Sequence, residues 1–309
     1  MRCVVAAALL VAVLIVRGGE AKDEPVLVGV LEHGFLRSPQ DTRGAEFKDV
    51  RLAFRRTAGG WEAFPHSPRD VDGLRALLKA YPAIATWTIS FDGHSLGTVT
   101  TRRPESYEFY GEVGRLTVSS ESVPSIGAPS AKSPFIRMDG AATYRSLVAT
   151  SRSAVGDPDA WKRDAPSRTV RTQAVAALRA RLPKVETCDD AGRVLPRRAY
   201  TDNEVRTVQS FTPKNGAQIV SLVIAPKRNS FCEYGDEEVA DPLVHTFAVE
   251  PTGNVVFIGT AMTLVDAGDY DGDGHSELIF WRSEGDNNEG YVLVADGFRS
   301  RVEFEWNYH

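Results

Sequence analysis

Cysteine is scarce in this 309-residue chain, which holds only Cys3, Cys188 and Cys232. With no paired histidines beside them, these thiols make no zinc pattern. The six histidines, at positions 33, 66, 94, 245, 275 and 309, are scattered. Neither a His-Glu-x-x-His pair nor a glycine-rich phosphate loop is present. No catalytic residue is nominated on these grounds, although a triad assembled from distant strands leaves no local signature. The chain also lacks an apolar run of the ~20 residues that a helix needs to span a bilayer. A surplus of positive charge is missing too: 36 Lys and Arg stand against 41 Asp and Glu, a net charge of −5, which disfavours nucleic acid as a partner. No repeat of 20–50 residues recurs, so a regular solenoid is not expected.

Arg2, the apolar run Cys3–Val16 and the small polar stretch Arg17-Gly18-Gly19-Glu20-Ala21 read as a secretory signal peptide over residues 1–21, cleaved after Ala21. The expected location is secreted or periplasmic, at the cell envelope, with no stable membrane insertion after cleavage. In an oxidising compartment the two remaining thiols, Cys188 and Cys232, are expected to pair as a disulfide. Closing a loop of that size would stabilise by roughly 4 kcal/mol in the chain-entropy view.

The fold class expected is mainly β with two short helices, arranged as antiparallel meander sheets with a propeller-like or barrel-like C-terminal module. Short alternating runs bounded by Gly, Pro, Asp or Ser mark strands in the first half at Val26–Leu31, Val50–Arg56, Thr86–Phe91, Thr98–Thr101, Tyr107–Tyr110, Leu116–Ser119 and Leu147–Thr150. Later strands are expected at Val205–Phe211, Gln218–Ile224, His245–Val249, Val255–Gly259, Glu277–Trp281, Tyr291–Ala295 and Val302–Trp306. Asp92-Gly93 and Asp296-Gly297 read as hairpin turns. Val71–Ala80 and Thr169–Leu182 carry apolar residues at helical spacing and stop before Pro82 and Pro183, so both read as amphipathic helices. Arg171, Arg179 and Arg181 are expected on a solvated face of the second. Ser151–Ser167 is the best linker, giving an N-terminal β-rich domain at 22–160 and a helix-plus-meander module at 161–309.

The chemistry concentrates in one place. Between residues 266 and 296 nine carboxylates face the single Arg282, a local balance of −8. Within that stretch, Asp269-Tyr270-Asp271-Gly272-Asp273-Gly274-His275-Ser276-Glu277 sets acidic side chains at positions 1, 3, 5 and 9 with glycine at 6. Such spacing lets alternate carboxylates converge on a hard cation that takes about 6–8 oxygens at about 2.3–2.6 Å. An EF-hand would need a bidentate carboxylate at position 12, and Phe280 stands there. The residues expected to ligate calcium are Asp269, Asp271, Asp273 and Glu277 through their side chains and His275 through its carbonyl. The alternative is a solvated acidic hairpin that binds nothing.

Gly268-Asp269-Tyr270-Asp271-Gly272-Asp273-Gly274-His275-Ser276-Glu277-Leu278 resembles the calcium loop of the FG-GAP repeats found in integrin α-chain-type β-propellers. The resemblance covers about 30 residues, roughly Val256 to Trp281. The Gly-Ala-Pro that follows the loop in that family is replaced by Phe280-Trp281-Arg282. It implies a calcium-stiffened hairpin in an adhesion-like or ligand-binding protein whose partner is a protein or a glycan. The other reading kept open is a secreted hydrolase that carries the same loop as a structural site. The tryptophans at 61, 87, 161, 281 and 306 are expected mainly in the core, with a carbohydrate-binding face as the alternative.

Overall fold

The computed structural model describes residues 25–35, 46–65, 71–104, 114–124, 146–188, 193–225, 244–283 and 289–306. The segment 1–21, the strand expected at Tyr107–Tyr110 and Cys232 lie outside these residues.

The first half closes into a barrel. Its strands are β1 (Val26–Phe35), β2 (Glu46–Thr57), β4 (Ile84–Phe91), β5 (His94–Arg102), β6 (Arg115–Val118) and β7 (Leu147–Thr150), and a short β3 (Gly60–Ala63) extends from β2. The order β1-β7-β4-β5-β6-β2 returns to β1 through a β1–β2 pairing, and every pairing is antiparallel. Closure leaves no unpaired edge in the ring. Helix α1 (Val71–Ala80) lies between β3 and β4. It turns Leu77 into the core, with Leu74 and Leu78 packed beside it, as the i, i+3, i+4 spacing dictates.

The second half stacks two antiparallel meanders. After β8 (Lys162–Arg163), helix α2 (Arg168–Arg181) and the hairpin β9 (Val185–Cys188) with β10 (Val194–Arg198), the chain runs β11 (Val205–Thr212), β12 (Gln218–Ile224), β13 (His245–Val249) and β14 (Val255–Thr260). These four form a five-stranded sheet with β8 at its edge. Next come β15 (Met262–Gly268), β16 (Glu277–Ser283), β17 (Glu289–Ala295) and β18 (Ser300–Trp306), a second sheet in sequence order. The closed sheet thus stands in the N-terminal half, and the C-terminal module is a pair of antiparallel meanders, as expected.

Ser167 caps α2 by accepting the Val170 N–H at 3.2 Å, which satisfies one of the free amides of the first turn. Ala174, Val175 and Leu178 of α2 pack on Val220, Leu222, Phe247 and Val249 of the five-stranded sheet. Of the helix arginines expected on a solvated face, Arg179 and Arg181 are exposed and Arg171 is half-buried; Arg171 donates to the Val205 carbonyl at 2.8 Å, Arg179 pairs with Asp202, and Arg181 lies 3.6 Å over the Phe257 ring.

Why β16 and β17 read as continuous apolar runs follows from what covers them. Leu278, Phe280, Val292 and Val294 face the five-stranded sheet with Ile219, Ala248 and Ile258. The alternate residues Ile279, Tyr291, Leu293 and Ala295 face the barrel and share its core with Val28, Leu52, Trp87 and Ile89. A sheet buried on both faces has no polar side to alternate with. Each fully buried side chain of this size contributes about 1.5–3 kcal/mol. The apolar cluster of the barrel therefore runs on across residue 160 into β16, β17 and β18.

Two polar devices align the layers. Gln209 of β11, almost wholly buried, donates to the Met262 carbonyl at 2.9 Å and accepts the Leu264 N–H at 3.4 Å. It thereby satisfies backbone groups at the outer edge of β15, which would otherwise be buried unpaired. On the barrel side, buried Arg51 makes a two-pronged pair with Glu32 at 2.8 and 2.9 Å, stacks 3.9 Å from the Trp306 ring, and shares Glu32 with the Tyr291 hydroxyl at 2.7 Å. Burial alone would push the Glu32 carboxyl up. The Arg51 charge and hydrogen bonds, with Arg115 and Tyr291, more than offset that and hold it low.

Candidate metal centre

The acidic segment is the connection between β15 and β16. Strand register ends at the pair Gly268↔Glu277, so Asp269–Ser276 spans a hairpin between neighbouring antiparallel strands. Gly272 and Gly274 take φ of +83° and +90°, left-handed backbone that a side chain would strain. Those two reversals turn successive amides toward the acidic side chains. Asp269 accepts the Gly272 N–H at 2.5 Å on one oxygen and the Gly274 N–H at 3.2 Å on the other. Asp271 accepts the Asp273 N–H at 3.1 Å, and Asp273 accepts the His275 N–H at 2.8 Å. An ionised carboxylate has about four acceptor sites, so these bonds orient the groups without exhausting them.

The result is a convergence of three carboxylates. Asp269, Asp271 and Asp273 each present an oxygen within 4.8 Å of the others, and among the described residues they are the one group of three such side chains gathered this closely. Glu277, 2 % exposed, is turned beneath the loop and accepts the Tyr270 N–H at 2.7 Å; it lies outside that closest group. His275 is exposed and touches the cluster through its backbone amide. Of the five residues expected to ligate, three carboxylates are brought together, the fourth carboxylate lies beneath the loop, and His275, expected to offer its carbonyl, is exposed and donates its N–H to Asp273.

Electrostatics make the arrangement costly on its own. Burial pushes the Glu277 carboxyl up, the Tyr270 N–H partly opposes this, and the charges of Asp271, Asp273 and Asp269 push it further, to about 8. A buried carboxylate crowded by like charges lacks positive charge. The donor set, three carboxylates on a tight turn, could hold a metal ion.

Several residues that hold this loop gave no motif signal. The Asp269 N–H donates to the Gly156 carbonyl at 2.8 Å. At the other end Ser276 donates its N–H to Asp159 at 2.9 Å and its hydroxyl to Asp157 at 2.6 Å. The segment 151–167, expected as a domain connection or as an ordered surface loop tied down by Trp161, thus grips both ends of the acidic loop. Asp266 joins β15 to the barrel, accepting the Asp92 N–H at 3.0 Å and the Tyr270 hydroxyl at 3.3 Å. Arg56 of β2, 215 residues away in sequence, donates to Asp271 at 2.8 Å. Its partner could not be read locally.

A Gly-x-Ser-x-Gly spacing, expected to be absent, is present at Gly93-His94-Ser95-Leu96-Gly97 and is the spacing of a hydrolase nucleophile. A nucleophile elbow is a strained strand-to-helix turn. Here the stretch leaves a β-hairpin turn and continues as β5, with Ser95 exposed and opposite Ser90. His245, the buried histidine of β13, packs near Phe257, and burial followed by the Arg181 charge lowers its pKa.

Trp61, Trp87 and Trp306 are buried, and Trp161 and Trp281 pack against the two cores, so the described tryptophans form no exposed platform. Cys188 ends β9. Among the described residues no helix is long and apolar enough to cross a membrane. Comparison of the chain with protein-family models, with curated proteins and with solved structures gives no match.

Proposed function

We propose that this is an exported calcium-binding β protein in which the cation braces the junction between the barrel and the C-terminal sheets, in a structural or adhesion-like role. The observation that carries the reading is the convergence of Asp269, Asp271 and Asp273 within 4.8 Å on one hairpin. Asp269, Asp271 and Asp273 would hold the ion, with Glu277 and the His275 carbonyl as the further oxygens proposed. A bound calcium would add to the positive charge that Arg56 supplies at Asp271 and offset the repulsion on buried Glu277. The place of the loop, between the first and second strands of a four-stranded meander, supports the FG-GAP likeness. A partner, protein or glycan, would meet strand and loop surfaces and not a tryptophan face.

Calorimetric titration of the chelator-treated protein tests this. Calcium should bind once per chain, and the heat should vanish in the Asp271→Ala/Asp273→Ala variant. No heat at millimolar calcium in the parent protein sinks the reading.

A further inference from the structure

We infer that Arg56 is the resident counter-ion of the acidic loop and that a divalent cation competes with it at Asp271. The competition rests on the calcium reading above; the counter-ion role rests on geometry alone. Arg56 stands near the end of β2, opposite Trp61 of β3, and reaches out of the barrel to place its Nε 2.8 Å from an oxygen of Asp271. The Asp271 side chain is 7 % exposed and that of Arg56 31 % exposed. A cation thus already sits on a largely buried carboxylate of the triad.

Two observations decide what that cation does. The other oxygen of Asp271 accepts the Asp273 N–H, so the carboxylate is oriented by its own loop and does not need the guanidinium for placement. What Arg56 adds is charge. A second guanidinium stands close by: that of Arg152, just beyond β7, fills the space that a side chain on Gly272 would occupy. Glycine at position 4 of the loop thereby makes room for a barrel arginine as well as for a bend.

The consequence is a threshold. With no divalent ion bound, Arg56 and Arg152 offset part of the repulsion among Asp269, Asp271, Asp273 and Glu277, and the loop holds its shape. When calcium arrives, a unit positive charge about 6 Å from a divalent ion opposes binding by about tenfold in a water-like dielectric. By linkage, calcium weakens the hold of Arg56 on the loop by the same factor. Arg56 sets how much calcium the site requires and ties occupancy to the β2–β3 end of the barrel.

The test is calcium titration of the chelator-treated parent and the Arg56→Gln variant, with melting in chelator as the second readout. The variant should bind about tenfold more tightly and melt lower in chelator, while Arg56→Lys, which keeps the charge, should bind like the parent. Binding by the variant where the parent shows none sinks the calcium reading for the parent chain and, with it, the competition that rests on that reading. Equal or weaker binding by the variant overturns competition and leaves the calcium reading standing. Heat from neither protein overturns both. Should Arg56→Gln fail to fold, Arg152→Gln carries the same comparison, with a smaller gain in affinity expected and no gain counting against the inference.

Discussion

Between β17 and β18 the chain reverses at Asp296-Gly297, where φ is 53° and 62°, and a side chain on Gly297 would meet nothing within 4 Å. Between β15 and β16 it reverses through the loop 269–276, which carries three converging aspartates, two left-handed glycines, a buried glutamate beneath and a barrel arginine on one of the aspartates. Both are hairpins of one sheet, and they are specified by different physics. The short turn, residues 296–299, is set by backbone conformation, with left-handed φ at Asp296, Gly297 and Phe298. The long loop gathers like charges that repel unless cations balance them, so its stability depends on solution conditions and on residues far away in sequence.

The sharpest way to break that contrast is to remove the ligands. The Asp271→Ala/Asp273→Ala variant should lose all calcium-induced stabilisation, which for a site held at a hundred times its Kd is about 2.7 kcal/mol, as read by melting with and without calcium. A calcium-induced shift that survives in this variant would assign the ion elsewhere.

A second effect separates the hairpins by pH. The Glu277 carboxyl is held at about 8 in the folded protein against an ordinary 4.5. Its protonated form therefore supports the fold fully below about 4.5, and that support is lost as pH rises to about 8. Stability of the chelated protein should fall over this window with a slope approaching ~1.4 kcal/mol per pH unit from this one group. The slope should disappear in Glu277→Gln and flatten in saturating calcium, as followed by denaturant unfolding at a series of pH values.

The smallest change probes the short turn. Gly297→Ala places a side chain in left-handed backbone with open space around it, so the cost is conformational, about 1 kcal/mol. It should be the same with and without calcium, and calcium affinity should match the parent.

How far these features could be read beforehand follows from how local they are. Val71–Ala80, Leu147–Thr150, Gln218–Ile224 and His245–Val249 are found where their patterns place them, because each has a clean period or a bounded apolar run. β15 escaped because a bulge between Leu264 and Asp266 breaks its alternation, and β3 because four residues carry too little pattern. Barrel closure rests on β1 pairing with β2 on one side and with β7 on the other, and no local signal encodes a partner more than a hundred residues away. At the site, the gathering of Asp269, Asp271 and Asp273 was legible because alternate acidic residues on a glycine-bearing turn are a local sequence pattern. Arg56, Arg152, Asp157 and Asp159 were not, since their contacts exist only once the barrel lies against the sheets. Gly93–Gly97 shows the converse: a spacing with chemical meaning on a strand-to-helix turn has none on a β-hairpin.

Hydrogen exchange of the chelated protein, with and without calcium, tests the central claim most directly. The amides of Gly272, Asp273, Gly274 and His275, which donate to the three aspartates, should gain protection when calcium is added, while the turn at Asp296-Gly297 exchanges as before. Equal behaviour of the two hairpins, with or without calcium, would contradict the account.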